Sequence, residues 1–239
     1  TGYGIVYFAE CMLKAHGEDF KGKKVAISGF GNVSWGTASK LEELGAIPIT
    51  ISGPDGYILD EEGVLGEKID YLLELRASGK NICKPYADKF KSAKFIEGKK
   101  PWEVKADMYI PCATQNEILI DDAKAIVASG AKYVCEGSNM SSSNEAIEYM
   151  LNNGIILGPS KAANAGGVAC SCIEMGQNSG KTVFKPEQVH AQLKDIMVNI
   201  HDAAKNAAEE YGYGYNLVAG ANIAGFLKVA DSMIAQGCV

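Results

Sequence analysis

Apolar residues at Ile5, Val6, Phe8, Ala9, Met12 and Leu13 form a stripe of helical period, which predicts a helix over 2–14. The pattern then changes. KKVAIS (23–28) is a short apolar run ending at glycine and predicts a buried strand, while SWGTASKLEEL (34–44) returns to helical spacing with Gly45 as its stop. AIPITIS (46–52) predicts a second strand, closed by the turn Gly53-Pro54-Asp55-Gly56. A helix follows around 67–77, and then a polar, lysine-rich stretch to Lys100 to which the pattern assigns no element. Beyond it the rhythm resumes with strand 106–113, helix 121–129, strand 131–136, helix 143–153 and strand 154–159. From Val168 onward the period is helical. Pro186 is placed to open a long helix to Tyr211, with Val189, Leu193, Ile196, Met197 and Ile200 as its apolar face. A last helix, 218–236, stops at Gly237.

Strands alternating with helices predict an α/β, doubly wound, Rossmann-type domain: a mostly parallel sheet, helices on both faces and a carboxyl-terminal helical tail. No repeat or low-complexity linker divides the chain, so 1–239 reads as one dinucleotide-binding domain. Ligands of such sheets lie beyond the carboxyl ends of the strands. That places segments 29–34, 52–56, 111–116, 136–140 and 158–168 along one crevice.

Composition narrows the partners. The 239 residues are 47% hydrophobic, enough for a sizeable core, and carry a net charge of -6 with no Lys/Arg run. This argues against nucleic acid and against an anionic membrane as main partners. The seven cysteines are odd in number and lack CxxC spacing, and the three histidines lie far apart in sequence. Neither a disulfide framework nor a metal site is expected, and free thiols suit a reducing, cytoplasmic setting. No apolar run approaches the ~18 residues of a membrane span, and no signal-peptide layout is present. The chain starts at Thr1 without methionine, in mid-motif, as a fragment would.

The glycine turn carries the first chemistry. Gly29-Phe30-Gly31-Asn32-Val33-Ser34 fits G-x-G-x-x-[GAS] between a strand and a helix. Gly29 permits the tight turn, Gly31 has no Cβ to block a pyrophosphate, and small Ser34 lets helix and strand approach. The helix amino end then offers free N–H groups and a positive dipole to phosphates. The alternative is a turn with a structural role only. PCATQNE (111–117) sets Thr114, Gln115 and Asn116 directly after a strand, and Asn164-Ala165-Gly166-Gly167-Val168 enters a helix. Each is either a place where backbone closes on a small substrate or a capped helix start. Lys161 is either a carboxylate partner or a surface lysine, and Glu174 either a structural or a catalytic group. Residues 46–63 contain Asp55, Asp60, Glu61 and Glu62 and no basic residue. An acid there accepts from the 2′-OH of an adenosine ribose and repels a 2′-phosphate, so Asp55 points to NAD over NADP without excluding NADP. The other reading is that Asp55 stabilises only its own turn and that a cation from elsewhere pairs the phosphate.

Taken together, TGYGIVYF, GFGNVSWG, SGPDGYILD, KPW, PCATQNE, EGSNM, PSKAANAGGVACSCIEM and NLVAGANIAGF resemble the carboxyl-terminal, cofactor-binding domain of hexameric bacterial-type glutamate dehydrogenases. They appear in the same order over nearly the whole chain. The resemblance implies oxidative deamination of L-glutamate to 2-oxoglutarate and ammonia, with hydride passing to a nicotinamide. It places the catalytic lysine and aspartate in an amino-terminal substrate domain absent from this chain, so the chain itself carries no acid–base residue. It also implies a homo-hexamer at full length. By the same resemblance, Gly29, Gly31, Asn32 and Val33 line the pyrophosphate and its sugar. Thr1, Thr114 and Asn164 lie near the nicotinamide amide, Ala113 and Asn139 near its ribose. Val168 and Ser171 reach into the substrate cleft, Ser171 towards the distal carboxylate of glutamate. Phe30 favours NAD, since NADP-using relatives often carry serine there. Ser138 and Ser141 depart from a frequent alanine and proline, and Cys170 and Cys172 flank Ser171, which touches local loop shape. The alternatives are a leucine, valine or phenylalanine dehydrogenase domain and a non-catalytic nucleotide-sensing module.

Overall fold

Within each central strand, alternate residues point to opposite faces of the sheet, and the two sets enter two different cores. Val25, Ile27, Met108, Ile110, Tyr133 and Cys135 belong to one apolar cluster, Ala26, Tyr109 and Val134 to the other. The computed structural model describes residues 1–237. In chain order its elements are α1 (Gly2–Ala15), β1 (Lys24–Ile27), α2 (Asn32–Glu43), β2 (Ile47–Pro48), β3 (Thr50–Gly53) and β4 (Gly56–Asp60). There follow α3 (Glu67–Ala77), α4 (Lys84–Lys89), β5 (Ala93–Glu97), β6 (Met108–Ile110), α5 (Ile120–Ala128) and β7 (Tyr133–Cys135). The remainder is α6 (Asn144–Asn152), β8 (Ile156–Gly158), α7 (Ser160–Ala163), α8 (Gly166–Ser179), α9 (Pro186–Glu210) and α10 (Leu217–Gln236).

Five strands form a parallel sheet in the order β2-β1-β6-β7-β8. Helices α1, α2 and α9 supply Phe8, Leu41 and Met197 to the first core. Helices α5 and α6 supply Ile126 and Met150 to the second. This is the doubly wound α/β arrangement expected. The chain leaves β1 towards β2 and later returns on β1's other side at β6, so the strand order reverses between β1 and β6. The crevice beyond that reversal is where doubly wound sheets bind ligands.

The predicted single strand over 46–52 is two strands in two sheets. The β1 ladder uses the N–H groups of Ile47 and Ile49, so Pro48 on this edge strand costs it no bond, and at Ile49 the chain crosses over: its N–H donates to Val25 of β1 while its carbonyl accepts from Asp60 of β4. β3 then pairs with β4, and β4 with β5, in a separate antiparallel sheet. The lysine-rich stretch left without elements contains α4 and β5. β5 is an edge strand with a half-exposed pattern, and Lys94 on such an edge discourages further pairing.

The expectation that no segment has the length and apolarity of a membrane span needs correction at α10. An 18-residue window of this helix has mean hydropathy 1.4, long and apolar enough by those two measures to cross a membrane. One such helix is weak evidence, because a helix of small apolar residues passes the same test. Here α10 docks along α9 so closely that a Cβ at Gly220 would lie 1.8 Å from the carbonyl oxygen of Ala204.

Candidate functional site

The turn after β1 is held in place before any ligand is considered. Gly29 has φ +87°, and a Cβ there would come within 2.5 Å of Ser34 Oγ and 2.8 Å of the Cys112 carbonyl oxygen. Its N–H donates to Ser52 Oγ at 2.8 Å, tying the turn to the end of β3. Ser34 is buried and its hydroxyl donates to the Ser28 carbonyl at 3.0 Å, so the small side chain fixes helix to strand as well as letting them approach. Gly31 caps α2 with φ -98°, and no side chain caps the helix N-terminus. The first-turn N–H groups of α2 are therefore left for an anion. A Cβ on Gly31 would meet only the tip of Arg76, at 3.0 Å.

Two adjoining cavities open along the carboxyl ends of the strands. One, of about 490 Å³, is bounded by the glycine turn, Ser52 to Pro54, Arg76, Lys100 and residues 112–114 with Glu117. The other, of about 440 Å³, is bounded by Thr1, Val33, residues 112–113, 137–139 and the stretch from Lys161 to Val168. Cys112 and Ala113 belong to both walls. All five segments placed along a crevice by the strand pattern thus reach it. Burial pushes the Cys112 thiol up to about 12, which makes it a wall residue and not a nucleophile at neutral pH.

Gly29, Gly31, Ala113 and Thr114 line the first cavity, and Thr1, Val33, Ala113, Asn139, Asn164 and Val168 the second. Asn164 Nδ2 donates to Asn139 Oδ1 at 2.7 Å, closing the far end of the crevice. Asn32 sits in the first turn of α2 with its side chain exposed, outside both linings. Ser171 is exposed on α8, one turn beyond Gly167, and its hydroxyl donates back to the Gly167 carbonyl at 3.3 Å. Serine in a helix commonly bonds this way, and it leaves Ser171 outside the cavity wall. Glu174 is exposed on the same helix.

Asp55 is not where the adenosine-ribose reading put it. Its carboxylate accepts the N–H groups of Cys83 and Lys84, each at 3.0 Å, and the Cys83 thiol at 3.4 Å. The start of α4 presents unsatisfied N–H groups beside the β3–β4 turn, and Asp55 is the acceptor within reach. It is absent from the cavity wall, whereas Arg76 is on it, donating to the Phe30 carbonyl at 3.0 Å.

Sequence reasoning missed two buried carboxylates beneath the crevice. Glu117 Oε2 accepts from Ser28 Oγ at 2.6 Å, and Oε1 accepts from the N–H groups of Ala113 and Thr114 and from Ser138 Oγ at 3.0, 3.3 and 3.1 Å. Glu136 accepts from the N–H groups of Ser142 and Ser160, each at 2.9 Å. Burial raises both carboxyl groups above the usual range, against the pull of those hydrogen bonds. The available signal was position: Glu117 closes the polar segment after β6, and Glu136 opens the one after β7. Among the described residues, no group of three or more His, Cys, Asp or Glu is placed to hold a metal.

The residues present fit a dinucleotide: a glycine cradle, an uncapped helix N-terminus above it, and two adjoining cavities with a shared wall. Comparison with known proteins points the same way. The model of the Glutamate/Leucine/Phenylalanine/Valine dehydrogenase family matches residues 1–237. The chain is 52% identical to an NAD-specific glutamate dehydrogenase of Clostridium symbiosum, over 99% of its own length and 53% of that protein's. It is 46% identical to an NADP-specific glutamate dehydrogenase of Escherichia coli strain K12, over 100% of its length and 53% of the relative's. A solved glutamate dehydrogenase structure superposes with a TM-score of 0.96 at 52% identity, covering 100% of this chain and 54% of that one. The chain spans about half the length of the curated relatives it matches.

Proposed function

This chain belongs to the Glutamate/Leucine/Phenylalanine/Valine dehydrogenase family, and we propose that it is the dinucleotide-binding part of a glutamate dehydrogenase. In this reading the full protein deaminates L-glutamate to 2-oxoglutarate and ammonia, and the bound nicotinamide accepts the hydride. The observation that carries it is the Gly29–Val33 turn, set at the strand-order reversal with the open N-terminus of α2 above it. The turn and α2 hold the pyrophosphate; Ala113, Thr114, Asn139 and Asn164 orient the nicotinamide half; Val168 faces the substrate. The lysine and aspartate of the acid–base chemistry belong to the part of the relatives this chain does not match. A cytoplasmic homo-hexamer at full length completes the proposal.

The cofactor is a nicotinamide dinucleotide, and we propose NAD over NADP. Support comes from the NAD-specific relatives at 52% identity, against 46% for an NADP-specific one, and from Phe30 in the turn. Asp55 no longer supports it. Titrating the protein with NADH and NADPH tests the choice, and tighter NADPH binding overturns it.

Gly31→Val tests the site itself. An added Cβ meets only the tip of Arg76 in the protein, so the fold is expected to survive, while the larger side chain fills the space of the pyrophosphate. NADH affinity should fall about a hundredfold, the scale of ~3 kcal/mol of lost contact and steric cost. Equal affinities in a fluorescence titration would make the turn a structural feature only.

A further inference from the structure

Glu117 is buried to 2% exposure at the floor of the first cavity, yet among the described residues no cation touches its carboxylate. Lys100, on the same wall, donates instead to the Glu117 backbone carbonyl at 2.8 Å, beside the indole N–H of Trp102 at 3.2 Å. The backbone is thus anchored independently of the side chain. The side chain is free to gather donors from three separate segments. Ser28 immediately precedes the glycine turn, Ala113 and Thr114 follow β6, and Ser138 follows β7. Ser28 Oγ extends the network by accepting the N–H of Cys112 at 2.9 Å. Ser138 Oγ also meets the Thr114 carbonyl at 2.9 Å and Ser141 Oγ at 2.7 Å. Serine at 138 and 141 therefore supplies hydroxyls to this network.

A structural role alone does not account for the placement. The donors converge where the two cavities meet, since Cys112 and Ala113 form part of both walls. We propose that Glu117 is a positioning residue for the dinucleotide, its carboxylate fixing the distance between the glycine turn and the segments that orient the nicotinamide half. The proposal rests on the dinucleotide reading above. It predicts a split between ligands. A ligand that uses only the glycine turn and α2, such as ADP-ribose, depends little on Glu117. A ligand that must span both cavities depends on it strongly.

The experiment compares wild type, Glu117→Ala and Glu117→Gln in titrations with NADH and with ADP-ribose, and checks folding by circular dichroism. Loss of the shared acceptor should weaken NADH about tenfold or more in Glu117→Ala, because the two sets of loops are no longer held at one spacing before the ligand binds. ADP-ribose should change by less than about threefold. Gln keeps the chain length and one acceptor oxygen, so Glu117→Gln should fall between the other two. If the alanine variant does not fold, the glutamine variant decides: NADH must weaken measurably more than ADP-ribose. A folded variant with unchanged NADH affinity, or an equal fall for both ligands, overturns the proposal and leaves Glu117 a stability residue. A wild type that binds neither NADH nor NADPH overturns the dinucleotide reading, and this proposal with it. Binding by wild type together with unchanged variants removes this proposal alone.

Discussion

Two buried carboxylates, one in each sheet region, are solvated by the protein in different ways. Asp60, at the end of β4, is fully buried and accepts from Lys68 Nζ at 2.7 Å, Tyr86 OH at 2.8 Å, Ser92 Oγ at 3.0 Å and the Glu62 N–H at 3.2 Å. Glu117 has as many donors around it but no cation among them. The first arrangement joins β4 to α3, α4 and the segment before β5, and none of its side chains lines the crevice. The second joins loops that form that wall. The ammonium of Lys100 goes instead to the Glu117 backbone carbonyl, which leaves the carboxylate to other donors beneath the space the glycine turn opens. Neutral hydroxyl and amide donors hold the loops without filling it. The lesson is that the partner chosen for a buried charge reports whether the surrounding space is filled or kept clear.

The strongest way to break this comparison is to remove the cation from Asp60. Lys68→Met leaves a buried carboxylate with two hydroxyl donors and the Glu62 N–H, and it also removes the Lys68 bond to the Gly63 carbonyl at 3.2 Å. Breaking a buried pair from one side costs about 3–5 kcal/mol. Urea unfolding should show a loss of that order, while the folded fraction binds NADH as wild type does. A loss near zero would mean that neutral donors suffice for Asp60, and the contrast with Glu117 would disappear.

Asp55 is a third acid, half-buried, and it sharpens the comparison because its partners are backbone N–H groups at the start of α4. It acts as a helix cap from across a turn. Asp55→Ala should therefore cost about 1 kcal/mol, the usual scale for a lost cap, and much less than Lys68→Met. The same denaturant titration measures it. A cost as large as that of Lys68→Met would show that the Asp55 network, with the buried Cys83 thiol, is part of the core.

What was legible in the sequence follows from range. Periodic patterns and glycine stops are local, so α1, α2, α3, α6, α9 and α10 lie where the spacing put them. The crevice was legible for a second reason: strand alternation fixes which loops share one edge of the sheet. Partnership was not legible. Nothing near Asp55 announces Cys83 and Lys84, and Arg76 reaches the Phe30 carbonyl from a helix more than forty positions downstream. The Pro48 crossover between sheets was hidden because each half of residues 46–52 is a good strand. Glu117 and Glu136 were passed over because glutamate in a polar loop is ordinarily exposed.

The smallest effect expected is a drift of relative stability with pH, and it tests whether the Glu117 charge is a cost to the fold. Burial raises the Glu117 carboxyl above its unfolded value, and the hydrogen bonds from Ser28, Ala113, Ser138 and Thr114 only partly oppose this. In the interval between the unfolded and folded values, the folded state holds a proton that the unfolded state has released. Stability from this group is therefore fully present below the unfolded value and is lost as pH rises through the folded one. Glu117→Gln removes that titration and leaves Glu136, Lys100 and the other groups common to both proteins. The difference in unfolding free energy between variant and wild type should move in the variant's favour from pH 4.5 to pH 7.5. Urea midpoints at the two pH values, with the slopes held equal, measure it. If the difference moves the other way, the four donors outweigh burial and the ionised carboxylate is a net stabiliser. The distinction between the two carboxylates would then rest on geometry alone.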